Sequence, residues 1–229
     1  MLKQKVFEIG KKGKSPTTFA SHYLERIRGL PDVPVLSETL LSIELAAADP
    51  PVELSRISRL ILSDLGATLQ VLRLAGLQSA ESSPPSRIED CISGLGLKAC
   101  LDAMSKQTIT RTRRYAAILE AWNHARTIAE ITNQLAEEMA RSAPSGEASL
   151  VGLCHEIGRL PNLLRWDRVL PPALDVDRAG LILAESWSLP SCLRQYFAGC
   201  LKGQIYSPWP AIVDRAHQIA KNPVTLLCV

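Results

Sequence analysis

Residues 113–141 read RRYAAILEAWNHARTIAEITNQLAEEMAR, and the class of the fold follows from their spacing. Ile118, Ala121, Trp122, Ala125, Ile128, Ala129, Leu135 and Met139 recur at steps of three and four, with charged residues opposite them. Helical side chains at those steps share one face, so the pattern predicts a single long helix with a core-facing stripe.

The same period runs through the flanking sequence, and nothing alternates long enough to argue a sheet. On the N-terminal side, Leu36 to Ala47 forms a helix ended by Asp49-Pro50-Pro51. Leu54, Ile57, Leu60 and Ile61 mark a second, and Leu65, Leu69, Leu72 and Ala75 a third. Ser79 to Pro85 reads as a loop. Ser86 with Glu89 three residues later has the spacing of a capping box, and after Leu95-Gly96 a further helix is expected over Leu97–Ile109. On the C-terminal side, Pro144-Ser145-Gly146 is a break, and Ser149 to Leu160 is a short helix stopped by Pro161. After the Pro171-Pro172 loop come helices near Asp177–Trp187, Pro190–Leu201 and Pro210–Lys221. The expected fold is all-α, with about ten helices and short connections.

The chain has 229 residues, 46% hydrophobic and 21% charged, which is enough to bury a real core. Its net charge of +3 is far from the field of a dedicated nucleic-acid binder, and the excess is lopsided. Lys3, Lys5, Lys11, Lys12, Lys14, Arg26 and Arg28 face only Glu8 and Glu25 in residues 1–28, so the rest of the chain sums to −2. No apolar run is long enough for a bilayer, and no apolar stretch follows the first lysines as a secretory signal requires. Cys91, Cys100, Cys154, Cys192, Cys200 and Cys228 lack C-x-x-C spacing and read as small buried hydrophobes of a reducing cytoplasm.

Few residues suggest chemistry. Gly13-Lys14-Ser15 has the ending of a phosphate-binding loop, but Glu8 stands where that loop needs glycine, and its carboxylate would repel a phosphate. The second and third helices allow a helix-turn-helix reading, although the turn at Ser63-Asp64 is generic and ordinary packing explains it. The histidines carry more. His124 lies in the long helix, His155-Glu156 in the next, and His217 in the last. Imidazoles and a carboxylate from separate helices can converge on a metal, whose bound water can attack a phosphoester. Equally, each histidine can be a satisfied core residue, with Glu156 paired to Arg159 at i,i+3.

Taken in order, six segments resemble the HDOD domain, a bacterial signalling module derived from the HD phosphohydrolase superfamily. Leu30-Pro31-Asp32-Val33-Pro34 is similar to the family's opening L-P-x-x-P. Ile57 to Ile61, Asp64, Leu69 and Leu72-Arg73-Leu74-Ala75 resemble its "I…I..D..L…LLRLAN". Ile88-Glu89-Asp90-Cys91-Ile92 leads to Leu95-Gly96-Leu97 as in "I.sIe.Ai..LGl". Trp122-Asn123-His124-Ala125 resembles "W.HS", His155 to Leu160 resembles "HDIGrL", and Trp187-Ser188-Leu189-Pro190 resembles "W.LP". Gly76 stands where the family has Asn, and Glu156 where it has Asp. Asp177 to Gly180 and Ala198 to Cys200 lack histidines common in related chains, and the superfamily's last metal-binding Asp aligns with His217.

The resemblance implies an HDOD-like fold, an N-terminal helical lobe packed on a degenerate HD-like lobe. It would occupy residues 23–229 as a single domain, with lobes over 23–110 and 111–229, behind a basic extension at 1–22. The implied role is a non-catalytic signal-transduction module, cytoplasmic, that binds a partner protein or a small signal. No catalytic residue and no resident cofactor is implied. Only a remnant site at His124, His155, Glu156 and His217 remains, fit for one weakly held divalent ion. The alternative is a metal-dependent phosphohydrolase acting on a nucleotide or cyclic dinucleotide. The expected partner is a signalling protein, with no membrane, and nucleic acid is touched at most non-specifically through the basic N-terminus.

Overall fold

The structure, a computed structural model, describes residues 33–79, 84–106, 108–109, 114–139, 146–166, 174–202 and 207–221. The basic extension, the Leu30-Pro31 start of the first motif, the Pro144-Ser145 break and the Pro171-Pro172 loop lie outside them, as do Cys228 and the Met139 side chain.

The described chain is all-α. Strand β1 (Val35–Leu36) leads into α1 (Ser37–Ala48), α2 (Leu54–Leu62), α3 (Leu65–Gln78), α4 (Ile88–Leu95) and α5 (Leu97–Ser105). Strand β2 (Thr108–Ile109) precedes the long α6 (Tyr115–Met139). There follow α7 (Glu147–Cys154), a 3-10 turn at Ile157–Arg159, α8 (Leu160–Leu163), α9 (Val176–Ser186), α10 (Ser191–Lys202) and α11 (Trp209–Lys221). The buried apolar side chains make one continuous cluster from Val33 to Ile219. The α6 stripe is its spine: Ile118, Trp122, Ala125, Ile128, Ala129 and Leu135 are buried, and Ala121 packs at its edge.

Asp64 sits at the centre of the N-terminal half. Its side chain caps α3 by accepting from the Ala67 N–H at 3.0 Å, which is ordinary N-cap chemistry. The same carboxylate also accepts from the Leu36 N–H at 2.8 Å and from the Trp122 indole N–H at 2.9 Å, and the Thr39 hydroxyl reaches it too. One buried group thus ties β1, α1, α3 and α6 together. Burial pushes its pKa above the ordinary carboxylate value, against the lowering effect of those hydrogen bonds. Gln70 adds a parallel tie by donating to the Val33 carbonyl at 2.9 Å.

Four local expectations need correction. The helix expected over Leu97–Ile109 stops at Ser105, because Thr108–Ile109 pairs in parallel with Val35–Leu36, a small sheet the helical period hid. The capping box at Ser86 and Glu89 does not form. Ser86 donates to Glu147 at 3.2 Å, and Glu89 is held by Arg87 at 2.8 Å. Pro161 does not stop a helix; it lies in the first turn of α8, where a missing N–H costs nothing. The helix assigned to Ser149–Leu160 therefore divides into α7, a turn at His155-Glu156 and the 3-10 turn. The turn at Ser63-Asp64 is also anything but generic, as Asp64 shows.

Between Leu54–Leu62 and Leu65–Gln78 the chain bends by 114°, yet α3 is buried from Leu65 to Leu72 and presents no face to a DNA groove. No single described helix is long and apolar enough to cross a membrane. Cys91, Cys100, Cys154 and Cys192 are buried free thiols, and burial pushes Cys91 up to about 12. At Gly76 a Cβ would sit 2.7 Å from the Trp187 carbonyl oxygen and 2.8 Å from that of Ser188. The α9–α10 corner thus rests on bare α3 backbone, with the Arg73 guanidinium 4.6 Å from the Trp187 ring centroid.

Asp64→Ala strands three buried donors, each costing about 1–3 kcal/mol. We expect a loss of at least about 3 kcal/mol in chemical denaturation, with Asp64→Asn milder because it keeps one acceptor oxygen; wild-type stability in Asp64→Ala would contradict this role. Gly76→Ala is expected to cost about 1–3 kcal/mol by overpacking, read as a lowered midpoint in the same experiment.

Candidate functional site

The four residues singled out above lie far apart in sequence, and the fold brings all four together. One ligand atom from each of His124, His155, Glu156 and His217 lies within 4.8 Å of every other. The ring centroids are 5.4 Å apart for His124 and His155, 5.1 Å for His124 and His217, and 4.8 Å for His155 and His217. His124 comes from the middle of α6, His155 and Glu156 from the turn that ends α7, and His217 from α11.

Close helix packing makes this convergence possible. Gly152 faces α6, where an added Cβ would stand 2.7 Å from Ala129 Cα and 2.8 Å from Thr132 Oγ1. With no side chain in the way, α7 lies directly on α6. The helix then stops at Cys154, so His155 and Glu156 turn towards His124 instead of continuing up the α7 axis. Sequence reading did not single out Gly152 or Thr132. A glycine inside the apolar run Leu150-Val151-Gly152-Leu153-Cys154 was the available signal, since such a residue marks close backbone approach.

The hydrogen bonds define the protonation of His155. Its Nδ1 lies 2.7 Å from the Gly152 carbonyl oxygen. A carbonyl only accepts, so Nδ1 carries the hydrogen and Nε2 presents a lone pair. That Nε2 is buried and has no hydrogen-bond partner, and it faces the cluster. Burial, with His217 and His124 adding to it, lowers the His155 pKa to about 3, so the ring is neutral. Burial also lowers that of His217.

Glu156 supplies the one carboxylate of the group, and its two oxygens face different ways. Oε1 is 3.0 Å from the Arg159 guanidinium and 3.8 Å from His155 Nε2, whereas Oε2 is 3.9 Å from His124 Nε2. The i,i+3 pairing with Arg159 and the metal-type convergence therefore coexist. Asp214, one turn before His217 on α11, is exposed and outside the group.

This arrangement is a half-buried cluster of three imidazoles with one carboxylate, a donor set suited to a borderline transition ion. Hydrolysis through two bridged metal ions would need more carboxylates than it offers. Gly13-Lys14-Ser15 lies outside the described residues.

Comparison with known proteins supplies the context. A family model described as HDOD domain matches residues 33–170, which include His124, His155 and Glu156 but not His217. Two solved structures of the MmoQ response regulator from Methylococcus capsulatus str. Bath have similar folds. One, of a fragment, gives a TM-score of 0.65 at 20% identity, over 85% of this chain and 86% of that one. The other gives 0.68 at 20% identity, over 87% and 90%. At that identity the likeness is one of fold. No curated protein matches the chain.

The lowered pKa has a measurable consequence. The unfolded chain binds this proton first, so His155 withdraws stability as pH falls from about 6.5 towards 3 and has no effect above that window. In ring 15N NMR, His155 should remain in the Nδ1–H form from about pH 8 to pH 5; a midpoint near 6.5 would refute the assignment.

Proposed function

Because the chain belongs to the HDOD family, we propose that it is a non-catalytic signal-transduction module that binds a partner protein. The carrying observation is the donor set of the cluster: three histidines and one carboxylate, with an oxygen of that carboxylate held by Arg159. Hydrolysis of phosphodiesters by HD-type chemistry uses carboxylates to neutralise and bridge two cations. Glu156 alone offers too little negative charge for that, and its charge is already balanced by a guanidinium.

Two experiments test the reading. The purified chain, incubated with cyclic dinucleotides and nucleotides in the presence of Mg2+, Mn2+ or Zn2+, should release no product above the metal-only control. Turnover that disappears in His155→Ala would overturn the proposal and establish the phosphohydrolase alternative. Affinity capture with the tagged chain should recover a protein that rebinds in purified form, equally well to wild type and to His155→Ala. If no captured protein rebinds, the partner-binding reading falls.

A further inference from the structure

We infer that His124, His155, Glu156 and His217 form a mononuclear, nitrogen-rich site for a Zn2+-class transition ion, one that clamps α6, the turn after α7 and α11 to one another. The inference goes beyond the signalling proposal, which requires no ion.

Four observations converge on it. The ligand atoms are within 4.8 Å of one another, whereas a four-coordinate Zn2+ with bonds of about 2.0–2.2 Å holds its ligands roughly 3.3–3.6 Å apart. Side-chain adjustments of about 1 Å close that gap. His155 is already prepared as a ligand: its Nδ1–H is held by the Gly152 carbonyl, which fixes the tautomer and aims the lone pair of Nε2 at the cluster. That Nε2 is buried without a partner, and an orphaned buried acceptor is costly unless something occupies it. Finally, Oε2 of Glu156 faces His124 while Arg159 holds Oε1, so the carboxylate can ligate without losing its cationic neighbour.

The donor types set the selectivity. Three imidazoles and one carboxylate suit Zn2+, Co2+ or Ni2+, whereas Mg2+ and Ca2+ take oxygen ligands in larger number. One carboxylate also limits the site to one ion, since among the described residues no other carboxylate joins the cluster to bridge a second.

The test uses the full chain, untagged and stripped with chelator, with Co2+ as the probe. Titration should produce the visible d–d bands of a low-symmetry four-coordinate ion, saturating at one per chain. Added Zn2+ should abolish them, and millimolar Mg2+ should not. His124→Ala and His217→Ala, both at partly exposed positions, should each weaken Co2+ binding at least about tenfold. Circular dichroism checks that these variants fold, and His124→Gln and His217→Gln replace either one that does not. Zn2+ should also raise Tm in wild type and not in the variants, as expected of a ligand bound only by the folded state. Absence of the bands in the folded protein, two ions per chain, displacement by Mg2+, or unweakened binding in the variants would each overturn the inference. None of these readouts depends on turnover or on a partner, so the site and the signalling role stand or fall separately.

Discussion

The buried carboxylate of Asp64 is the constraint around which the N-terminal half is organised. A carboxylate removed from water is tolerated only when its oxygens are well supplied with donors. Here the donors come from the β1 backbone, the first turn of α3 and the indole of Trp122 on the long helix. Because they lie on separate elements, satisfying the charge fixes where those elements meet. Apolar packing then fills the space around them, with Trp122, Ile43, Ile57, Leu69 and Leu72 almost wholly enclosed.

A second constraint governs the other half, and it is steric. Gly152 allows α7 to lie against Ala129 and Thr132 of α6, and the chain turns immediately afterwards. Without that close approach, His155 and Glu156 would stand away from His124. α6 therefore carries both halves: Trp122 reaches the Asp64 hub, and His124, two residues on, takes part in the histidine cluster. Between them lies only one exposed residue, Asn123.

The departures from the family pattern acquire physical meaning in this arrangement. Gly76, where an Asn is usual, permits the backbone at Trp187 and Ser188 to rest directly on α3. Glu156 has one methylene more than Asp, enough for its carboxylate to meet Arg159 on one side and His124 on the other. His217 contributes an imidazole, so the cluster holds three nitrogen donors and one carboxylate.

Helical period, breaks at proline and glycine, and six ordered motifs made the all-α architecture and the four clustered residues legible without coordinates. Period and breaks are local signals, set by which side chains share a helix face and where the chain cannot stay helical, whereas the motifs act through the family resemblance. The β1–β2 pairing and the hub at Asp64 were not legible, because each depends on a partner tens of residues away. Ser86 shows the same limit in reverse: its spacing to Glu89 matched a capping box, yet Glu147, 61 residues on, claimed its hydroxyl. The residue types of the histidine cluster were written in the chain; their distances, the tautomer of His155 and its orphaned nitrogen came from tertiary packing, since burial and hydrogen-bond partners exist only once the helices have met.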